Sequence, residues 1–388
     1  MKRLRILADT NICELAPAVA AFADVTLREG REIRRQDLMA TDALLVRSVT
    51  QVDEELLEGT PVKFVATATS GFDHIDRSYL QSRGIGFAHS PGSNANSVVE
   101  YVLTAIAAVD DHLDTLLSGG RVGIVGYGHI GKLLNQRLKA LGIDTIVYDP
   151  WLDASEVDNR AELAQVLACQ VVSLHCSLGT EQPWPSKHLL NTDALSLLPS
   201  TSLLINASRG PVVDNLALQQ RMLRDEAPTV VLDVWEWEPE VKDELLVSVR
   251  LGTAHIAGYS YDSKLNATAM LVNGVTQHFA LPPADIRAGA GKEGSALVLP
   301  ESDASGAAFL RNILLAQYDI KRDDATLRAM IQHAAGDKAL ADAGFDRLRK
   351  TYPVRRELAG HPVKGTYTQE QRDWLLALGC VPIEDKPA

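Results

Sequence analysis

Arg121-Val122-Gly123-Ile124-Val125-Gly126-Tyr127-Gly128-His129-Ile130-Gly131 decides how the rest of this chain is read. An apolar run at 121–125 leads straight into Gly126, and apolar positions 130, 133, 134, 138 and 141 then share one face of a helix. A bare G-x-G-x-x-G is a weak signal. Here it lies between a strand and a helix, and the next strand, 143–148, runs into Asp149, 18 residues after Gly131. That arrangement is a dinucleotide-binding βαβ unit. Gly126 permits the tight turn, Gly128 keeps a Cβ away from the pyrophosphate, and Gly131 lets the helix pack closely on the strand. The pyrophosphate is expected on the helix N-terminus opened by His129 and Ile130, where unpaired N–H groups favour an anion. His129 itself is read as a surface residue at the turn. Asp149 is expected to accept hydrogen bonds from the adenosine ribose and to repel a 2′-phosphate, so the cofactor is read as NAD.

Working outward, apolar runs at 171–175, 202–206 and 230–234 read as further strands, with crossover helices at 162–168 and 216–224. A helix from about 94 to 114 opens this α/β domain. Upstream, runs at 4–8, 43–46, 64–68 and 85–88 alternate with helical stretches, a second parallel-sheet pattern. Downstream, a helix is expected at 264–279. Residues 284–307 are rich in Ala, Gly, Ser, Glu and Asp, and helical or mixed pieces follow at 309–318, 324–332 and 345–350. Residues 285–388 are read as an α+β unit.

The chain has 388 residues and a formal charge of −12, from 38 Lys and Arg against 50 Asp and Glu. Such an acidic chain repels phosphate backbones and anionic membranes, which argues against nucleic acid or membrane as a general partner. The longest apolar stretch, 98–109, contains Glu100 and is too short to span a bilayer. Asp9 interrupts the N-terminal apolar run, so no signal peptide is read there. The four cysteines form no C-x-x-C pair; neither a disulfide framework nor a metal site is expected, and a cytoplasmic location fits.

Three strand ends carry chemistry. Leu204-Ile205-Asn206-Ala207-Ser208-Arg209 places an arginine at the carboxyl end of a strand, where open parallel sheets bind ligands. There it can clamp a carboxylate with two parallel N–H bonds. Val231-Leu232-Asp233-Val234-Trp235-Glu236-Trp237-Glu238 ends a second strand in acids. Asp233 is placed to reach the cofactor, and Glu238 to pair with a histidine. Gly252-Thr253-Ala254-His255 supplies that histidine, whose ordinary pKa suits it to take a proton from a hydroxyl during oxidation. Taken alone, Glu236, Glu238 and Glu240 read more often as solvated loop charges.

Arg209, Glu238 and His255 in this order behind the Gly126 turn resemble the D-isomer-specific 2-hydroxyacid dehydrogenases. The resemblance extends to Leu45-Val46-Arg47-Ser48-Val49-Thr50, to 66–74, to 206–214 and to 255–259. It implies two Rossmann-like domains with the active site in a cleft. The substrate domain would be discontinuous, 1–95 with 257–284; the NAD-binding domain would be 96–256. It further implies Arg209, Glu238 and His255 as the catalytic set, with His255 the proton donor or acceptor. Ser48, Thr69 and Tyr259 would contact substrate. Asp149, Asp233 and Gly258 would contact NAD, with Cys176 nearby. Residues 318–324 and 345–357 resemble the C-terminal dimerisation domain of one branch of the family, so 285–388 implies a homodimer and a small phosphorylated 2-hydroxy acid as substrate. Its phosphate needs cations beyond Arg209. Arg47 is one candidate, and the cluster Arg347, Arg349, Lys350, Arg355 and Arg356, reaching a neighbour's cleft, is another. Two rivals stay open: another dehydrogenase of the family, acting for instance on 3-phosphoglycerate, and a non-catalytic NAD-sensing protein.

Overall fold

Four-residue runs with no exposed position, Ala43–Val46 (β3) and Phe64–Thr67 (β4), form central strands of a parallel sheet, where both faces are covered. The computed structural model describes residues 3–224, 226–283, 297–298 and 306–384. Over these the chain forms two units, Met1–Asn94 with Ser260–Glu293 and Ala95–Tyr259 with Gly294–Ala388.

In the first unit, Leu4–Asp9 (β1), Ala23–Arg28 (β2), β3, β4 and Gly86–Ala88 (β5) form one sheet in the order β2-β1-β3-β4-β5, parallel throughout. β2 is absent from the sequence reading because it is an edge strand with alternately exposed positions and no continuous apolar run. The helix Tyr261–His278 packs back on this sheet through Leu271, Val272 and Val275, against Ile6, Ala43, Leu45 and Phe64. It starts three residues earlier than the sequence suggests, because the Ser260 side chain accepts from Ser263 N and caps it.

In the second unit, Arg121–Val125 (β6), Asp144–Tyr148 (β7), Val171–Leu174 (β8), Leu203–Asn206 (β9), Thr229–Leu232 (β10) and Leu251–Gly252 (β11) build a six-stranded parallel sheet. Its order is β11-β10-β9-β8-β6-β7. From β6 the chain steps outward to β7, then crosses back to β8 on the other side. The order therefore reverses between β6 and β8, and ligands of such sheets lie outside the carboxyl ends at that switch point. The long helix expected at 94–114 is two, Ala95–Ala108 and His112–Leu117, broken where Asp110 takes a left-handed φ of 45°. A left-handed residue cannot continue a right-handed helix.

The C-terminal segment packs into this same unit. It carries the helices Ala307–Gln317, Ile320–Ala334, Lys338–Lys350 and Gln369–Ala377. Leu297–Val298 (β12), Pro362–Gly365 (β13) and Val381–Glu384 (β14) form a small parallel sheet in that order. Phe309, Leu310, Ile313, Leu358 and Leu375 share one apolar core with Val98, Val102, Ile124 and Leu138. Leu327, Met330, Ile331 and Phe345 join a second core with Leu232, Trp235 and Leu246. That cover explains why the helix Ala95–Ala108 is buried almost all round. Most of the Ala- and Gly-rich stretch read at 284–307 lies outside the described residues. Among the described residues no helix is long and apolar enough to cross a membrane.

Candidate active site

The glycine turn is built as its spacing demands. Gly126 follows β6 with φ 93°, and a Cβ there would lie 2.5 Å from the backbone nitrogen of Cys176, just past β8. A Cβ on Gly131 would lie 2.1 Å from the Gly126 carbonyl oxygen. Both positions therefore require glycine for the protein's own packing. Gly128 does not: a Cβ there would meet no atom within 4 Å. It is the N-cap of the helix His129–Ala140, and no side chain caps that terminus. The first N–H groups are thus left for an anion, which is what a dinucleotide pyrophosphate needs. His129 is exposed and Ile130 half-buried.

Asp149 stands just beyond β7. Its Oδ2 accepts from Tyr127 N at 2.8 Å and its Oδ1 from Trp151 N at 3.1 Å, which fixes the carboxylate over the turn. A carboxylate has about four acceptor positions, so capacity for ribose hydroxyls remains. These residues fit NAD. Cys176 lines the same switch point with its thiol pushed up to about 12, chiefly by burial. It is held there as a neutral side chain. The adjacent His175 binds Ser173 Oγ through Nε2 at 2.9 Å, and burial lowers it to about 3, so it too is neutral.

The catalytic candidates stand at the neighbouring strand ends. Arg209 follows β9 in extended conformation, with its Nη1 donating to the Ser208 carbonyl at 2.9 Å. Asn206 shapes the turn: its Nδ2 donates to the Arg209 carbonyl at 3.0 Å, and its Oδ1 accepts from Ser208 N and Oγ. Gly210 is forced, because a Cβ would fall 1.9 Å from the Trp235 carbonyl oxygen.

His255 and Glu238 meet directly. His255 Nδ1 lies 2.7 Å from Glu238 Oε2, with their side chains 31% and 20% exposed. Glu238 Oε1 accepts from Trp235 N at 2.9 Å, so both of its oxygens are oriented. Burial alone would raise the Glu238 carboxyl. The charges of His255 and Arg349 and the Trp235 N–H outweigh it and hold the group below its ordinary value. A carboxylate bound at Nδ1 leaves Nε2 as the nitrogen that can exchange a proton with a ligand.

Asp233 is committed largely to the protein itself. It is 1% exposed, and its carboxylate faces the protein. Oδ1 accepts from Thr253 Oγ1 and Ile256 N, both at 2.7 Å, and Oδ2 from Ala257 N at 3.0 Å. Its own carbonyl accepts from His255 N at 2.7 Å. Asp233 thus builds the loop that presents the histidine, and three of its roughly four acceptor positions are spent there. His255 itself has φ 53°, a left-handed conformation that a side chain with a Cβ adopts at a cost. Gly258 and Tyr259 continue this loop, and the Tyr259 ring lies edge-on to Tyr352 at 6.1 Å.

Glu236 is largely enclosed, whereas Glu240 lies in a surface ion-pair cluster, as a solvated loop charge would. Glu236 accepts from His188 Nε2 at 2.6 Å and from Asn215 N at 3.0 Å, and Glu240 pairs with Lys242 and Lys338. In the first unit, Arg47 and Ser48 follow β3, and Thr69 follows β4, at the carboxyl ends of adjacent parallel strands. Ser48 is exposed. Thr69 Oγ1 lies 2.7 Å from Thr67 Oγ1 and donates to the Gly71 carbonyl at 2.7 Å.

Comparison with known proteins agrees with this geometry. Residues 104–257 match the model of the D-isomer specific 2-hydroxyacid dehydrogenase, NAD binding domain, and 299–379 match a domain of unknown function (DUF3410). The erythronate-4-phosphate dehydrogenase of Cellvibrio japonicus is 42% identical over 97% of this chain and 100% of its own. That of Salinibacter ruber is 39% identical over 98% of each. The chain belongs to the erythronate-4-phosphate dehydrogenase family. As a member it is an NAD-dependent 2-hydroxyacid dehydrogenase, and NAD is its cofactor. Solved structures share the fold of the two α/β domains. An NAD⁺-bound 3-phosphoglycerate dehydrogenase of Entamoeba histolytica superposes with a TM-score of 0.62 at 22% identity, covering 72% of this chain and 96% of its own. A D-lactate dehydrogenase of Aquifex aeolicus with NAD and lactic acid gives 0.59 at 23%, covering 71% and 95%.

Proposed function

We propose that this protein oxidises 4-phospho-D-erythronate to 2-oxo-3-hydroxy-4-phosphobutanoate with NAD, a step of pyridoxal 5′-phosphate synthesis, and that it works as a cytoplasmic homodimer joined through its C-terminal segment. The observation that carries the chemistry is the His255–Glu238 pair at 2.7 Å beside Arg209 on the neighbouring strand end. The substrate is argued from relatives of that activity that match this chain from end to end. Bound NAD supplies the two-electron acceptor. Arg209 holds the substrate carboxylate through paired N–H bonds. His255 takes the C2 hydroxyl proton at Nε2, and Glu238 fixes the ring and stabilises the imidazolium that results. Ser48, Thr69 and Tyr259 are assigned to the substrate by resemblance to the family, and Arg47, at the end of β3, to its phosphate. Asp149, the turn Gly126–Gly131, Cys176, Asp233 and Gly258 are assigned to the NAD side, Asp233 through the loop it builds.

Turnover of a panel of 2-hydroxy acids, followed by NADH absorbance, tests this reading. 4-Phospho-D-erythronate is expected to give the highest kcat/KM; an equal or higher value for 3-phosphoglycerate would sink the specific substrate. His255→Ala is expected to lower kcat by about 10²–10⁴-fold while NAD still binds. A wild type that oxidises no 2-hydroxy acid would instead favour an NAD sensor.

A further inference from the structure

The cluster of cations at 347–356 is one of two candidates for the substrate phosphate, and two of its members turn inward within their own unit. The Arg349 guanidinium lies 5.5 Å from the centroid of the Tyr259 ring, and its charge acts on Glu238. Arg355 goes further. Its Nη2 donates to the carbonyls of Ile256 at 3.3 Å and Ala257 at 2.5 Å, and to Ser97 Oγ at 2.5 Å. Ser97 Oγ, from the helix Ala95–Ala108, donates in turn to the same Ala257 carbonyl at 2.7 Å. The guanidinium is stacked 4.4 Å from the centroid of Tyr318, itself buried.

These are the residues whose N–H groups Asp233 holds. The two residues that follow His255 are therefore gripped through both backbone groups, their N–H groups by Asp233 after β10 and their carbonyls by Arg355 of the C-terminal segment. His255 occupies the left-handed region just before them. Such a conformation persists when the surroundings over-determine it. We propose that Arg355 is a positioning residue for His255, holding the carbonyls of Ile256 and Ala257 so that the turn keeps the imidazole aimed at the substrate hydroxyl. The C-terminal segment, on this view, is part of the catalytic apparatus and not only a surface for association. The proposal rests on the reading of His255 as the base.

The test uses the full-length protein with Arg355→Met, Arg355→Gln and Arg355→Lys. Three quantities are read: kcat and KM on the 2-hydroxy acid the wild type oxidises, NAD affinity by fluorescence, and the His255 ring resonances by ¹H–¹³C NMR, assigned with His255→Asn. Arg355→Met is expected to lower kcat roughly 100-fold, the scale of an ångström-level misplacement, with NAD affinity within about twofold of wild type. Its His255 resonance is expected to broaden or split. Arg355→Lys keeps the charge and three donors but loses the planar stack on Tyr318, so it is expected to fall between Arg355→Met and wild type in kcat. A folded Arg355→Met with wild-type kcat and an unmoved His255 resonance, and only a lower Tm, overturns the proposal. If Arg355→Met fails to fold, Arg355→Gln carries the same test through a shorter stem, with a roughly tenfold fall expected. If the wild type oxidises no 2-hydroxy acid, the functional reading has failed, and the NMR comparison alone decides Arg355: an unmoved resonance overturns it.

Discussion

At the scale of single residues, the pair His255–Glu238 ties stability to pH. The Glu238 carboxyl is held below its ordinary value in the folded chain. Its partners therefore stabilise the fold at pH values above the ordinary carboxyl range, and that contribution disappears as the pH falls through the depressed folded value. Glu238→Gln should accordingly lower Tm at pH 7 and lower it much less near pH 3. Thermal unfolding of both proteins at the two pH values checks this, and an equal Tm difference at both would contradict it. The residue types and their order marked Arg209, Glu238 and His255 as candidates, and the structure stands them beyond neighbouring strand ends and pairs His255 with Glu238. Asp233 and Arg355 were named for other tasks. Their bonds to residues 256 and 257 span 23, 24, 98 and 99 positions, and no local pattern marks such long-range pairs.

At the scale of elements, the glycine turn separates what the protein needs from what the cofactor needs. A methyl on Gly131 would press on the Gly126 carbonyl, whereas one on Gly128 would touch nothing of the protein. Gly131→Ala should cost about 1–3 kcal/mol of stability, the usual range for overpacking. Gly128→Ala should leave Tm near wild type and weaken NAD binding at least tenfold. Denaturation curves and NAD titrations of the two variants distinguish these outcomes; a Gly128→Ala protein with undiminished NAD affinity would move the pyrophosphate elsewhere. The central strands were readable to within a residue or two because burial on both faces leaves unbroken apolar runs. The edge strand β2 and the terminal strands β13 and β14 were not, since Lys364, Val381 and Glu384 face water and break any such run. Only the last half of the helix Lys338–Lys350 was read. It buries Gly344 and Phe345 alone, so its amphipathic stripe is thin.

At the scale of the whole chain, the composition shift after 284 marks a C-terminal domain, matched over 299–379, whose residues also complete the core of the NAD-binding unit. Glu100 records this joint. It is 7% exposed, and its Oε1 accepts from Leu358 N at 2.8 Å and Ala359 N at 3.2 Å. Burial, and then the nearby Glu357, push its carboxyl up to about 8. Between the ordinary carboxyl value and about pH 8 the folded chain keeps a proton that the unfolded chain has lost. Stability from this site is therefore highest in acid and falls as pH rises through that window. Glu100→Gln keeps the acceptor without the charge, so its Tm relative to wild type should rise between pH 5 and pH 8.5. A difference that does not change with pH would refute the assignment. The shared core also sets an order of events during synthesis. Domains on a nascent chain ordinarily fold as units, the N-terminal ones first. Here Leu358, Trp374 and Leu375 belong to the same core as Val102 and Ile124, which leave the ribosome long before them. The core of the dinucleotide unit therefore closes only once these residues have emerged, and a product terminated before them lacks one side of that core.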